Sequence, residues 1–257
     1  SIFFWVDSPT ISLFYFYKCI CHFSIQEKSK LFTFLYLLPV LYTISNTLFS
    51  KNKTTDTSAA GTGYAGSSMW LRSYASGSTL ISNLTNCTFV DNIDEGNASG
   101  MNNTNRVTLA LTKNTSANHT ATVANCIFWN NIAAPGFTSR PIGGFIESVV
   151  SSPTIINSTD ETNFAGITLS GTSINNNNSN PLFTNLSSSD YTLSSGSPAI
   201  DSGDNASVVG TTDLLGNIRI FNTTVDRGVY EFGPTLSNEN FISNNEIKIY
   251  PNQVVST

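Results

Sequence analysis

Charge is scarce in this chain. Only 11% of its 257 residues are Asp, Glu, Lys or Arg, under half of the roughly 25% common in soluble domains. Seventeen acidic residues face twelve basic ones for a net charge of −5, so no basic surface exists to engage a phosphate backbone, and nucleic acid is excluded as a partner. Two histidines and four cysteines leave little for metal or nucleophilic chemistry. Cys19 and Cys21 are too closely spaced for a zinc knuckle, and His119 lies in the polar stretch "NTSANHTAT". There is no credible Ser/His/Asp or Cys/His arrangement and no phosphate-binding glycine loop. After residue 51 no amphipathic helical window of useful length appears. Met69 and Met101 are the only methionines, so the chain reads as part of a longer protein.

What is present is Asn, Ser, Thr and Gly, residues that form turns and disfavour helices. They create frequent Asn-x-Ser/Thr triplets, as at Asn83, Asn86, Asn97 and Asn114, which composition alone accounts for. Two heptapeptides nearly coincide: "NCTFVDN" from Asn86 and "NCIFWNN" from Asn125. Read as strands of period 2, they point Cys87 with Phe89, and Cys126 with Phe128, to one side. Asn86, Asn92, Asn125 and Asn131 then stand at corners, where a short amide satisfies local backbone and tolerates left-handed geometry. A strand this short buries its apolar face only by stacking on further copies. The spacing of the copies fits one long repeat or two turns of about 20 residues. With two turns, the cysteine Cα atoms stand about 9.6 Å apart, beyond disulfide reach, and the cysteines act as small interior residues.

The first fifty residues differ in composition. Leu31 to Phe49 is uncharged and apolar, close to the length of a bilayer span, and Lys28 and Lys30 precede it as in a secretory signal. "DSPTIS" at Asp7 resembles "SSPTII" at Ser151, so an insertion or frame error between about residues 13 and 50 is a second reading. A genuine apolar subdomain is the third.

The phrases "ATVANCIFW", "SPTIIN" and "FAGITLSGTSI" with the two heptapeptides resemble the right-handed parallel β-helix family. The resemblance implies an all-β solenoid with rungs over 51–190. From Asp190, "DYTLSSGSPAIDSGDN" and then "DLLGNIRIFNTTVDRGVYEF" resemble the closing segment of secreted bacterial β-helix proteins, implying a C-terminal cap over 191–233. In that role Tyr191, Leu193, Ile200, Ile218, Ile220 and Tyr230 cover the last rung, and the acids pair with Arg219 and Arg227 or with backbone N–H groups. An alternative use of the acids is calcium, with Asp201, Asp204 and Asp213 as candidates. After a linker at 234–245, "EIKIYPN" resembles the first strand of a type IX sorting domain of Bacteroidota, matched by Ile249, Tyr250, Pro251 and Asn252 within 246–257. That implies handling by the type IX secretion machinery and a secreted or cell-surface location.

Catalysis on polysaccharide needs clustered carboxylates or a base beside a cation site. Asp91, Asp94, Glu95, Asp160 and Glu161 read instead as solvated loops. The expectation is therefore an exported, monomeric, non-catalytic β-helix. Its Asn/Thr/Ser-lined face serves a structural, adhesive or glycan-binding role toward extracellular polysaccharide or other surface components. The alternative is a fragment of a polysaccharide lyase or glycoside hydrolase whose catalytic rungs are absent.

Overall fold

The computed structural model describes residues 14–21, 24–25, 40–54, 66–73, 76–94, 105–113, 115–133, 135–136, 138–143, 148–149 and 152–233. Among these residues the structure is nearly all strand and turn, with two short 3-10 turns at Leu186–Ser188 and Asn205–Ser207. The chain makes repeated passes. The first holds β1 (Phe14–Cys21) and β2 (Ser24–Ile25), and the second β3 (Val40–Ser50), β4 (Lys53–Thr54) and β5 (Gly66–Ser73). The third holds β6 (Thr79–Thr85), β7 (Thr88–Val90), β8 (Ile93–Asp94) and β9 (Asn105–Lys113). The fourth holds β10 (Asn118–Ala124), β11 (Ile127–Trp129), β12 (Ile132–Ala133) and β13 (Thr138–Gly143), followed by β14 (Ser148–Val149). The fifth holds β15 (Thr154–Ile156) and β16 (Thr159–Asp160); β17 (Phe183–Asn185) and β18 (Asp190–Leu193) come later.

Each strand pairs with its counterpart one pass away. β1, β3, β6, β10 and β15 form one parallel ladder, which β3 continues past a corner through β7, β11 and β16. β2, β4, β8 and β12 form a second sheet, and β5, β9 and β13 a third. Among the described residues, antiparallel pairing is confined to β14 on β9, to β17 with β18, and to an isolated bridge between Thr212 and Ile218. Single bridges from Ile156 to Ile174 and from Thr159 to Asn177 begin a sixth pass.

Three sequence expectations change here. Thr88 pairs directly with Ile127, so the 39-residue interval between copies is one turn rather than two. Cys87 and Cys126 are therefore neighbours, both free and buried. Val40–Ser50 lies in the ladder, in register with β6 and β7, which moves the first rungs ahead of residue 51. It is a strand, and no helix among the described residues is long and apolar enough to cross a membrane. Residues 31–39 lie outside the described residues.

Inward positions repeat pass by pass. Ile44, Leu84, Val123 and Ile155 form one buried column. Phe49, Phe89 and Phe128 form another, with ring centroids 4.6 Å apart and planes within 5°. That separation is close to the strand spacing, so backbone pairing sets it, and each buried ring contributes roughly 1.5–3 kcal/mol. At the next pass Asp160 takes the Phe position. Its carboxylate accepts from Thr162 N, Thr162 Oγ1 and Phe164 N. The turn thus formed sets Phe164 edge-on against Phe128, centroids 6.0 Å apart. Phe164, with Ile167 and Leu169, closes the interior at this end.

Candidate functional site

The corner before each Phe strand is where the passes meet the rest of the chain. Asn46, Asn86, Asn125, Asn157 and Asn175 all have φ between 44° and 54°, a left-handed conformation that Asn accepts at lower cost than most residues. The side chains of the first four turn outward to a strap formed by residues 181–233, while Asn175 Nδ2 donates to Asn157 Oδ1. Asn46 Nδ2 donates to Val209 O and Thr212 O, and Asn86 Nδ2 to Asp226 O. Asn125 is bidentate, donating to Asp204 O at 2.9 Å and accepting from Asp204 N at 2.7 Å. Asn157 Nδ2 donates to Ser202 O. The strap's 202–212 stretch thus climbs the side of the stack, held at the fifth, fourth and second passes, while Asp226 is held at the third. The resemblance implied a cap over the last rung, whereas this segment covers a flank.

The second corner works differently. Asn52 Nδ2 donates to Asn92 Oδ1, and Asn92 Nδ2 to Asn131 Oδ1, each at 2.8 Å. The same amides reach the carbonyls of Phe49 and Phe89. Asn92 and Asn131 thus join pass to pass, while Asn86 and Asn125 join stack to strap.

Apolar contacts complete the flank. Leu48 and Val90 pack with Tyr191 and Val229, and Ile127 packs with Leu193 and Ala199. Both faces of β7 are consequently buried. Gly228 (φ 88°) passes so close that a Cβ there would lie 2.8 Å from Ile127 Cδ1 and Thr88 Oγ1. Tyr230 is half-buried against the same cluster. Ile218 is 57% exposed and Ile220 36%, so neither covers an end: the inward residue between them is Arg219.

Arg219 is the strap's own centre. Its guanidinium donates to the carbonyls of Asp226, Gly228 and Val229 and lies 3.7 Å from Glu231. Glu231 accepts from Phe221 N and Asp226 N, and Asp226 from Asp201 N and Phe232 N. Burial lowers the Arg219 pKa, opposed by Glu231, Asp213 and Asp226. Burial likewise pushes Glu231 up to about 8, assisted by Asp226, and Asp226 up to about 6. Arg227 donates to the carbonyls of Ser202, Ser158 and Asn175, and burial lowers its pKa to about 10.

The calcium candidates do not converge. Asp213 accepts from Asn217 N, Asn217 Nδ2 and Glu231 N. Asp204 caps the 3-10 turn at Asn205 through Ala206 N and Ser207 Oγ. Asp201 is exposed. Among the described residues no group of three or more His, Cys, Asp or Glu side chains is placed to hold a metal ion.

Other acids also have structural partners. Asp91 accepts from Asn130 Nδ2 and Tyr191 Oη, tying the second corner to the strap. That bond, after burial, raises Tyr191 to about 12. Asp94 is buried. Glu161 accepts from Asn130 N, and burial raises its pKa. Asp91 and Asp94 are thus more enclosed than the solvated turns read from the sequence, while Glu161 lies in an exposed turn as read. His119 sits inside on β10: its Nδ1–H donates to Thr112 O, which leaves Nε2 to accept from Ser82 Oγ. Burial lowers its pKa to about 4, so it is neutral at pH 7. Glu95, Glu147, Cys19, Cys21 and the sorting residues Ile249, Tyr250, Pro251 and Asn252 are among positions whose side chains lie outside the description.

Sequence reading missed Asn46, Asn52 and Asn157 as corners. "NTLFSKN" from Asn46 repeats Asn-x-x-Phe-x-x-Asn, a signal hidden by the aromatic text before it. No protein-family model matches the chain, and no curated protein matches it.

Proposed function

We propose that this is an exported, non-catalytic right-handed parallel β-helix of the Bacteroidota type, delivered by type IX secretion to the cell surface or medium. It serves there as a structural or adhesive scaffold whose outer face contacts glycans. The parallel stacking of five passes supports the solenoid, and the "IYPN" phrase supports the export route. One observation supports the non-catalytic reading: apart from exposed Asp201, most described carboxylates of the strap and of the rung ends are already bonded within the protein. Asp91, Asp160, Asp204, Asp213, Asp226 and Glu231 each accept from backbone or side-chain donors. A hydrolase or lyase needs such groups aimed at substrate.

The test is to incubate the full chain with pectin, alginate and neutral glucans and follow reducing ends and unsaturated uronates. No product is expected. Turnover that disappears in Glu161→Gln would overturn the reading in favour of the enzyme. Recovery of the protein solely from the cytoplasm of its source cells would remove the export half.

A further inference from the structure

The anchored stretch of the strap is held at both ends by carboxylates. Its backbone between Ser202 and Thr212 supplies the partners of Asn157, Asn125 and Asn46. Just before it, Asp201 N donates to the Asp226 carboxylate at 2.7 Å. Just after it, the Asp213 carboxylate accepts from Asn217 N and Glu231 N. Glu231 in turn accepts from Asp226 N and lies 3.7 Å from Arg219, so both ends meet in one cluster of three carboxylates and a guanidinium. The third pass is tied to the same centre. Asn86 Nδ2 donates to the carbonyls of Asp226 and Gly228, at 3.1 and 3.5 Å, and Arg219 donates to the same two, at 3.0 and 2.8 Å. What holds the cluster together therefore also holds the strap to the stack.

We propose that this cluster is a pH-sensitive latch, which holds residues 201–231 on the flank while one carboxyl carries a proton and lets them leave the stack when all three are ionised. Asp213, Asp226, Glu231 and Arg219 are all buried, so full ionisation sets three negative charges against one positive charge in a poorly solvated site. Arg227 does not relieve them, because its guanidinium is turned to the carbonyls of Ser158, Asn175 and Ser202. Elsewhere on the strap, Asp201 faces Asp226, and Tyr230 faces Asp190 and Asp213. From the stack, the Cys87 thiol comes within reach of Arg219. Burial, then Asp226, raises Glu231 furthest, to about 8. A raised carboxyl favours the docked strap fully below its free value and stops doing so as pH rises through the docked one. The opening is local. β7 and β11 contain no ionisable side chain and keep their ladder bonds, and β18 has a separate tie from Tyr191 Oη to Asp91. Release frees the corner amides of Asn46, Asn86, Asn125 and Asn157.

Hydrogen exchange of the full chain, followed by mass spectrometry at about pH 6.5 and about pH 9, reads this directly when each amide is normalised to its intrinsic rate at that pH. Protection over 202–213 and 226–231 is expected to fall by about tenfold or more at the higher pH, while 120–128 and β18 change by less than about twofold. In Glu231→Gln and in Asp226→Asn, each of which keeps one acceptor oxygen, the fall should shrink to that of the rungs. The proposal fails if strap and rungs lose protection together, if the strap is equally protected at both pH values, or if the variants respond as the parent does. Should one variant lack strap protection already at the lower pH, the other decides. Should both lack it, the parent decides: its loss of protection must be reversible and centred between about pH 7 and pH 9, and a midpoint outside that range overturns the latch.

Discussion

Thr47, Cys87, Cys126 and Ser158 occupy one slot on successive passes, just after the left-handed corner. Each donates to the carbonyl two residues back: Thr47 to Ser45, Cys87 to Thr85, Cys126 to Ala124 and Ser158 to Ile156. The slot therefore selects a small side chain with an O–H or S–H, which explains cysteine better than redox chemistry does. Burial holds the Cys126 thiol well above its ordinary pKa, keeping it unreactive. Cys87→Ser should unfold within about 1 kcal/mol of the parent in urea, whereas Cys87→Leu should cost about 1–3 kcal/mol by overpacking. Equal losses in the two would mean that sulfur itself matters. At the preceding residue the backbone and the amide separate cleanly. Asn125→Gly keeps the left-handed corner but loses both bonds to Asp204, a cost of about 2 kcal/mol. Asn125→Ala should cost about 1 kcal/mol more, because alanine also strains the φ of 53°. Urea midpoints for the two variants measure that difference directly.

The strands are individually weak and gain stability through register. β7 and β11 have three residues each, too few to stand alone, yet the Phe column locks their pairing because a one-residue slip would expel every ring. The end of that column is governed by Asp160 and Phe164. Phe164→Ala should destabilise by about 3–5 kcal/mol and bare the Phe128 ring to water; a change under about 1 kcal/mol in urea unfolding would show that the turn does not close the interior. At the same end of the stack the neighbouring β15 ladder is finished by polar side chains. Ser173 Oγ accepts from Ile155 N, and Asn176 Oδ1 from Ser158 N, so backbone groups that would recruit another strand are already paired. At this scale the sequence was legible where composition and period agreed, as in the two Asn-Cys heptapeptides. It was illegible at Asn46–Asn52, where Thr and Leu replace the flanking residues inside an aromatic stretch. The interval of 39 residues could not by itself distinguish one turn from two. Only the direct pairing of Phe89 with Phe128 does so.

For the molecule as a whole, the strap makes the passes interdependent, since it touches Asn46, Asn86, Asn125 and Asn157 in turn. The motif that builds it was visible in the sequence, but its position was not. Nothing in "GSPAIDSGD" distinguishes an end from a flank, and only the outward amides of the corners decide. The strap's centre also makes stability depend on pH. Arg219 is buried with Asp213, Asp226 and Glu231, so full ionisation would leave two negative charges uncompensated in a poorly solvated site. Burial accordingly raises Asp226 and Glu231 in the folded protein, to about 6 and about 8. A raised carboxyl pKa stabilises fully below the unfolded value and loses that contribution as pH climbs through the folded one. His119, depressed to about 4, acts oppositely: its contribution is complete above about 6.5 and is lost as pH falls toward 4. Between pH 6.5 and pH 8 Glu231 is therefore the main group still titrating differently in the two states. The urea midpoint of the parent should drift downward across that window. In Glu231→Gln, which keeps an oxygen to accept one of the N–H bonds from Phe221 and Asp226, the drift should largely vanish even if the midpoint is lower throughout. A parallel drift in the variant would place the titration elsewhere and show that the Arg219 cluster is fully ionised at neutral pH.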